Sequence, residues 1–157
     1  MNYSMLQVLA EKQKVAIHPY KYDGNLQAMY MDNHIFLSDD LSDSEKTCIL
    51  AEELGHHFTA DRNCLDQNEA ENLFCEWKGR IWSYEVLLPV GQLKAVMQAG
   101  LEKVSEIAAF FKLTKEFVKD ALQYYFYSGQ LKENALTEAA TSDKGKNDKN
   151  LAQPNYK

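Results

Sequence analysis

Two periods of apolar and polar residues succeed each other along this chain. Over residues 5–14, Leu6 and Leu9 share a stripe with Gln13, and Val8 and Lys12 lie off it, which predicts an amphipathic helix. Val15-Ala16-Ile17 opens an extended segment that Pro19 limits. Asp23-Gly24-Asn25 and Asp32-Asn33 are turn signals. The runs on either side of the second turn, residues 26–31 and His34-Ile35-Phe36-Leu37, predict a hairpin. Together the extended segments predict a small antiparallel sheet of about three strands.

The helical period then returns. Ser42 with Glu45 three residues later is a capping box, and Asp43 suits the positive end of the helix dipole. A helix is predicted over 43–58, with Cys48, Ile49, Ala51 and Leu54 on its apolar face and Phe58 near its end. Gly55 inside it costs about 1 kcal/mol relative to Ala, so close packing against a neighbour is the better explanation for it. Residues 61–67 are polar and loop-like. A long helix is predicted over about 68–87, with Phe74, Trp77, Ile81 and Val86 as apolar content and Pro89 as its stop. Residues 91–98 are helical in pattern, with Gly100 as C-cap. Two further helices, 104–111 and 115–127, are joined by Lys112-Leu113-Thr114, and Thr114 suits the N-cap of the second. From about Lys132 apolar residues thin out, and the composition predicts a disordered tail over 132–157.

Composition narrows the function classes. At 157 residues, with 45% hydrophobic residues, one domain with a small appended helical module is the expectation. A net charge of −6 argues against broad nonspecific binding to nucleic acid. No apolar run approaches the roughly 18 residues of a membrane span. Cys48, Cys64 and Cys75 make no Cys-x-x-Cys pair, and no secretory segment follows Met1. These features predict a cytoplasmic protein with free thiols.

The chemistry centres on Leu50-Ala51-Glu52-Glu53-Leu54-Gly55-His56-His57. This is the His-Glu-x-x-His pattern of zinc proteases with Glu52 in place of the first histidine. Residues four apart share one helix face, so Glu52 and His56 can grip one metal ion with Glu53 beside it as general base. Downstream, Glu76-x-x-Gly79-Arg80-x-Trp82-Ser83 runs into Leu87-Leu88-Pro89.

With the hydrophobic strand 33–37 and the capped helix before the motif, these two blocks give residues 15–89 a pattern that resembles the ImmA/IrrE family of metallopeptidases. The family pattern downstream is Glu-x-x-Ala-Asn/Arg-x-Phe/Trp-Ala followed by Leu-Leu-x-Pro or close variants. The resemblance implies that Glu53 is the catalytic base and that Glu52, His56 and Glu76 hold the metal, with Glu52 departing from the family's histidine. It implies zinc, with manganese as the alternative. Two carboxylates and one imidazole leave the ion less positive and move preference toward harder cations. A site degenerated to no metal is the remaining alternative. The fold implied is α+β: a small antiparallel sheet packed on a zincin-like active-site helix, with additional C-terminal helices. The organisation expected is a metallopeptidase-like core over 1–100, a helical extension over 101–131 and the tail.

Other readings of the same residues stay open. Glu52 and Glu53 can form a solvated helix face, and Glu76 can pair with Arg80 one turn on. His57 points roughly 100° from His56 and reads as a supporting or surface histidine. His18 and His34 read as structural. Tyr84 and the cluster Tyr124-Tyr125-Tyr127 read as aromatic core and rim, with an oxyanion donor as the alternative. Residues 104–118 have the rhythm of a helix-turn-helix, but Lys115, Glu116, Lys119 and Asp120 do not make a basic surface, so no direct DNA binding is expected. By resemblance, the expected partner is a helix-turn-helix transcriptional repressor of a mobile element such as a phage. The chain is expected either to cleave it or, as an antirepressor, to bind it without cutting.

Overall fold

The computed structural model describes residues 1–21, 26–59 and 69–132. The predicted turn at 23–25, the loop at 61–67 and the tail beyond 132 lie outside the described residues. The described elements run α1 (Tyr3–Lys12), β1 (Ala16–Tyr20), β2 (Ala28–Met31), β3 (His34–Ser38), α2 (Asp43–Thr59), α3 (Glu69–Leu87), α4 (Val90–Gln98), α5 (Val104–Phe111) and α6 (Lys115–Tyr127). The class is α+β, as the sequence predicts.

Helix α1 begins earlier than the apolar stripe suggests, because the Asn2 side chain accepts a hydrogen bond from the Met5 backbone N–H at 3.0 Å. It buries Leu6 and Ala10, one turn apart, rather than Leu9 and Gln13. Lys14, at φ 60°, turns the chain out of it.

The three strands lie in the order β1-β3-β2. β2 and β3 are the predicted antiparallel hairpin, with Met31 opposite His34 and Tyr30 opposite Ile35. Asp32 and Asn33, at φ 49° and 64°, make the tight turn between them. β1 pairs with β3 in parallel, with Ile17 opposite Ile35. The sheet is therefore mixed, a correction to the expectation of an antiparallel one. The chain reverses between β1 and β2 but leaves the central place to the most buried strand, whose Ile35 and Leu37 lie in the core. Pro19 does not limit β1, which continues to Tyr20. As an edge strand it tolerates a residue that cannot donate to a ladder.

One hydrophobic cluster joins these elements, from Leu6 on α1 through Ile35, Leu50 and Leu54 to Leu88, Val118 and Tyr125. The Tyr125 hydroxyl donates to the Leu88 carbonyl at 2.9 Å, where α3 ends. The Thr114 side chain caps α6 by accepting from the Phe117 N–H at 3.2 Å. Cys48 is a buried free thiol. Cys75 is disulfide-bonded, which corrects the expectation that all thiols are free. Sequence spacing reports ribbon motifs, not pairings that a fold creates. No helix among the described residues is long and apolar enough to cross a membrane.

Candidate functional site

The site is built where α2 crosses α3. Helix α2 starts at the predicted box: the Ser42 N–H donates to Glu45 Oε2 at 2.8 Å, and the Glu45 N–H donates to Ser42 Oγ at 3.3 Å. Its inner face carries Cys48, Ala51, Leu54 and Gly55, all buried. Leu50 is fully buried as well, while Ile49 is half-buried. Gly55 is where the two helices touch. A Cβ placed there would fall on the Gly79 carbonyl group, with Gly79 C at 2.9 Å. The close approach inferred from a glycine inside a helix is thus present, and its counterpart is a second glycine.

That approach sets His56 against Glu76. His56 Nε2 lies 3.4 Å from Glu76 Oε2. The imidazole occupies the space that a side chain at residue 79 would need: a Cβ on Gly79 would lie 2.8 Å from His56 Cε1. Beyond the motif, Phe58 stacks on Trp82 with ring centroids 4.9 Å apart.

Glu52 and Glu53 are both half-buried on α2. Burial raises the Glu53 carboxyl to about 7, and the Glu52 and Glu76 carboxylates add to the effect. Burial also raises Glu52; the Arg80 guanidinium opposes this, while Asp120 and Glu76 reinforce it. Three carboxyl groups therefore repel one another beside one imidazole. Arg80 and Asp120 belong to the electrostatic surroundings of Glu52, which the sequence pattern alone did not reveal. The spacing of Arg80 one turn from Glu76 was a signal for the first; nothing in the sequence signalled the second.

A divalent cation suits part of this arrangement. Two donor atoms bound to one tetrahedral ion at ordinary zinc distances stand roughly 3.3–3.6 Å apart, and His56 and Glu76 have that separation. A cation would also relieve the carboxylate repulsion that adds to the effect of burial on Glu53. Among the described residues, no three His, Cys, Asp or Glu side chains are already gathered as a metal-holding group. The pair His56–Glu76 is in place, and Glu52 is not gathered with it into a group of three.

The remaining candidates fall outside this cluster. His57 Nδ1 lies 2.8 Å from the Tyr30 hydroxyl, which donates to Asn33 Oδ1 at 3.0 Å. His57 thereby ties α2 to the hairpin. Tyr84 is buried against Phe117, Tyr125 is buried, and Tyr127 is exposed on the rim. His18 and His34 lie on the sheet, bonded to each other.

A small sheet followed by a Glu-Glu-x-x-His helix, with a second helix presenting a glutamate to the histidine, defines a metallopeptidase-like domain. Residues 6–123 match the peptidase M78 family, described as an IrrE N-terminal-like domain, and the chain belongs to that family. No curated protein and no solved structure gives a significant match.

Proposed function

We propose that this chain is a metal-dependent endopeptidase of the ImmA/IrrE type, acting in the cytoplasm on the helix-turn-helix repressor of a mobile element. The observation that carries the reading is His56 Nε2 at 3.4 Å from Glu76 Oε2, with a Glu53 carboxyl near 7 beside them. Glu52, His56 and Glu76 would hold zinc, or manganese in its place. The ion would supply Lewis-acid polarisation of a peptide carbonyl. Glu53 is the proton carrier: with a pKa close to neutral it can take a proton from water and return it to the leaving amine. Family membership supports the peptidase class. The repressor as substrate rests on the family resemblance, and the mixed charges on α6 fit a protein partner better than DNA.

A second reading is favoured by one observation. Among the described residues Glu52 is not gathered with His56 and Glu76 into a metal-holding group, and the Arg80 guanidinium acts on it as well as the Glu76 carboxylate. On this reading the chain is an antirepressor that binds the repressor and displaces it from DNA without cutting. One experiment separates the two. Wild type and Glu53→Gln are expressed beside the repressor and a reporter promoter, and repressor length is followed. Proteolysis predicts a shortened repressor with wild type, and full-length repressor with silent promoter in the variant. Derepression by Glu53→Gln with intact repressor establishes the binding reading.

A further inference from the structure

The sheet carries a pair of histidines in contact, on the face turned away from the core. Ile35 and Leu37 of β3 point inward and are buried. The alternate residues His34 and Phe36 therefore point outward. On β1, Ala16 is opposite His34, which puts His18 on the same outer face. On β2, Met31 is directly opposite His34, so its side chain stands on that face too. Met31 is 53% exposed, His34 is exposed and His18 half-buried.

The two imidazoles meet. His18 Nε2 lies 2.8 Å from His34 Nδ1, with ring centroids 5.0 Å apart and planes 25° from parallel. Two ring nitrogens whose centroids are that far apart meet nearly head-on, so the contact is a single N–H···N hydrogen bond. Phe36 flanks both rings, its centroid 5.1 Å from His18 and 6.4 Å from His34. A bond between two histidines brings two nitrogen lone-pair positions together on one surface. Two nitrogens at right angles on an ion about 2.0 Å away stand roughly 2.8–2.9 Å apart, the arrangement of tetragonal copper(II).

We propose that His18, His34 and Met31 form a copper site on the outer face of the sheet, separate from the cluster on α2 and α3. Binding replaces the N–H···N bond. Each ring turns a lone pair to the ion: the acceptor ring already has one on the bonded nitrogen, and the donor ring's proton passes through water to its other ring nitrogen, which leaves protons on His18 Nδ1 and His34 Nε2 and releases none. Imidazole nitrogens serve either oxidation state, and the Met31 thioether, a soft donor, favours copper(I). The ion links β1 to β3 and so favours the folded sheet.

The test uses the full-length protein and copper(II) chloride, with wild type, His18→Ala, His34→Gln and His56→Ala. Electron paramagnetic resonance reads nitrogen coupling to the copper, and thermal melting with and without copper reads stabilisation. The expected result is a copper with two-imidazole coupling and a raised melting temperature in both wild type and His56→Ala; any further copper that wild type takes up at the α2–α3 cluster is lost in His56→Ala. His18→Ala and His34→Gln should bind about tenfold or more weakly and lose the shift. His34→Gln keeps a polar side chain on the exposed face, so loss of copper there is not loss of the fold, which far-UV circular dichroism checks. Under reductant, Met31→Leu should surrender copper(I) more readily to a chromogenic chelator. Unchanged copper binding in His18→Ala or His34→Gln overturns the site. Copper lost in His56→Ala alone assigns the ion to the α2–α3 cluster, and equal copper(I) retention by Met31→Leu removes the thioether from the ligand set.

Discussion

Gly79 gives His56 its place: a Cβ on residue 79 would lie 2.8 Å from the Cε1 of the imidazole. Gly55, one residue before His56, meets the backbone of the same glycine, with Gly79 C only 2.9 Å from a Cβ placed there. The two glycines differ in what would have to move. At residue 79 a side chain can turn away; at residue 55 the obstacle is main chain.

Gly55→Ala should therefore be the more damaging change. Helix propensity alone would favour alanine by about 1 kcal/mol. Overpacking against a fixed backbone costs roughly 1–3 kcal/mol and should win. Urea unfolding of Gly55→Ala and Gly79→Ala would show a net loss for the first and a smaller loss for the second. A Gly55→Ala protein as stable as wild type would show that the helices are not in contact there.

The close approach at Gly55 was legible in the sequence, because a glycine inside a well-capped helix asks for a reason. The capping box at Ser42 and Glu45, the Asp32-Asn33 turn and the Thr114 cap were legible for the same cause: each is a local interaction within a few residues. What the sequence hid was nonlocal. The parallel pairing of β1 with β3 depends on which strand takes the centre, and nothing near Ala16 encodes that. The field of Asp120 at Glu52 arises because α6 returns to the α2–α3 pair. The pattern named His56 and Glu76 as candidates and the fold brings them to 3.4 Å, but the effect of Arg80 on Glu52 arises only when α3 is packed against α2.

Stability without metal should fall as pH rises from about 4.5 to about 7. Glu53 is raised from 4.5 to about 7 in the folded chain. Between those values the native state holds a proton that the unfolded state has released, so the slope of unfolding free energy with pH is negative. The destabilisation is absent below the unfolded value and complete above about 7. Glu53→Gln removes it, and should be more stable than wild type at pH 8 by roughly 1–3 kcal/mol after allowing for partial solvent screening. At pH 4 the two should be nearly equal. Urea melts in chelator at both pH values check this; a variant gain no larger at pH 8 than at pH 4 would sink it.

Tyr125 holds the end of α3 to α6. Its hydroxyl donates to the Leu88 carbonyl at 2.9 Å in the buried core. Tyr125→Phe keeps the ring and leaves that carbonyl without this donor, which should cost about 1–2 kcal/mol. Proteolytic susceptibility and chemical unfolding would both register it. No change would mean that water reaches the carbonyl and replaces the hydroxyl.

Glu52→His is the change that tests the candidate centre most directly. It restores two imidazoles four residues apart on α2 and removes one of the carboxylates that raise Glu53. A neutral ligand in place of an anionic one leaves a bound zinc ion more positive, and imidazole is a common zinc ligand. Zinc affinity, measured by competition with a fluorescent chelator, should rise by about tenfold or more, the scale expected for a change in a metal's immediate surroundings. Glu76→Ala in the same background should cancel the gain, because His56 and Glu76 are the pair already at ligand spacing. If Glu52→His binds zinc no better than wild type, residue 52 does not reach the ion, and the antirepressor reading becomes the stronger one. If affinity rises and repressor cleavage rises with it, the scaffold is a working peptidase whose natural carboxylate moderates its metal.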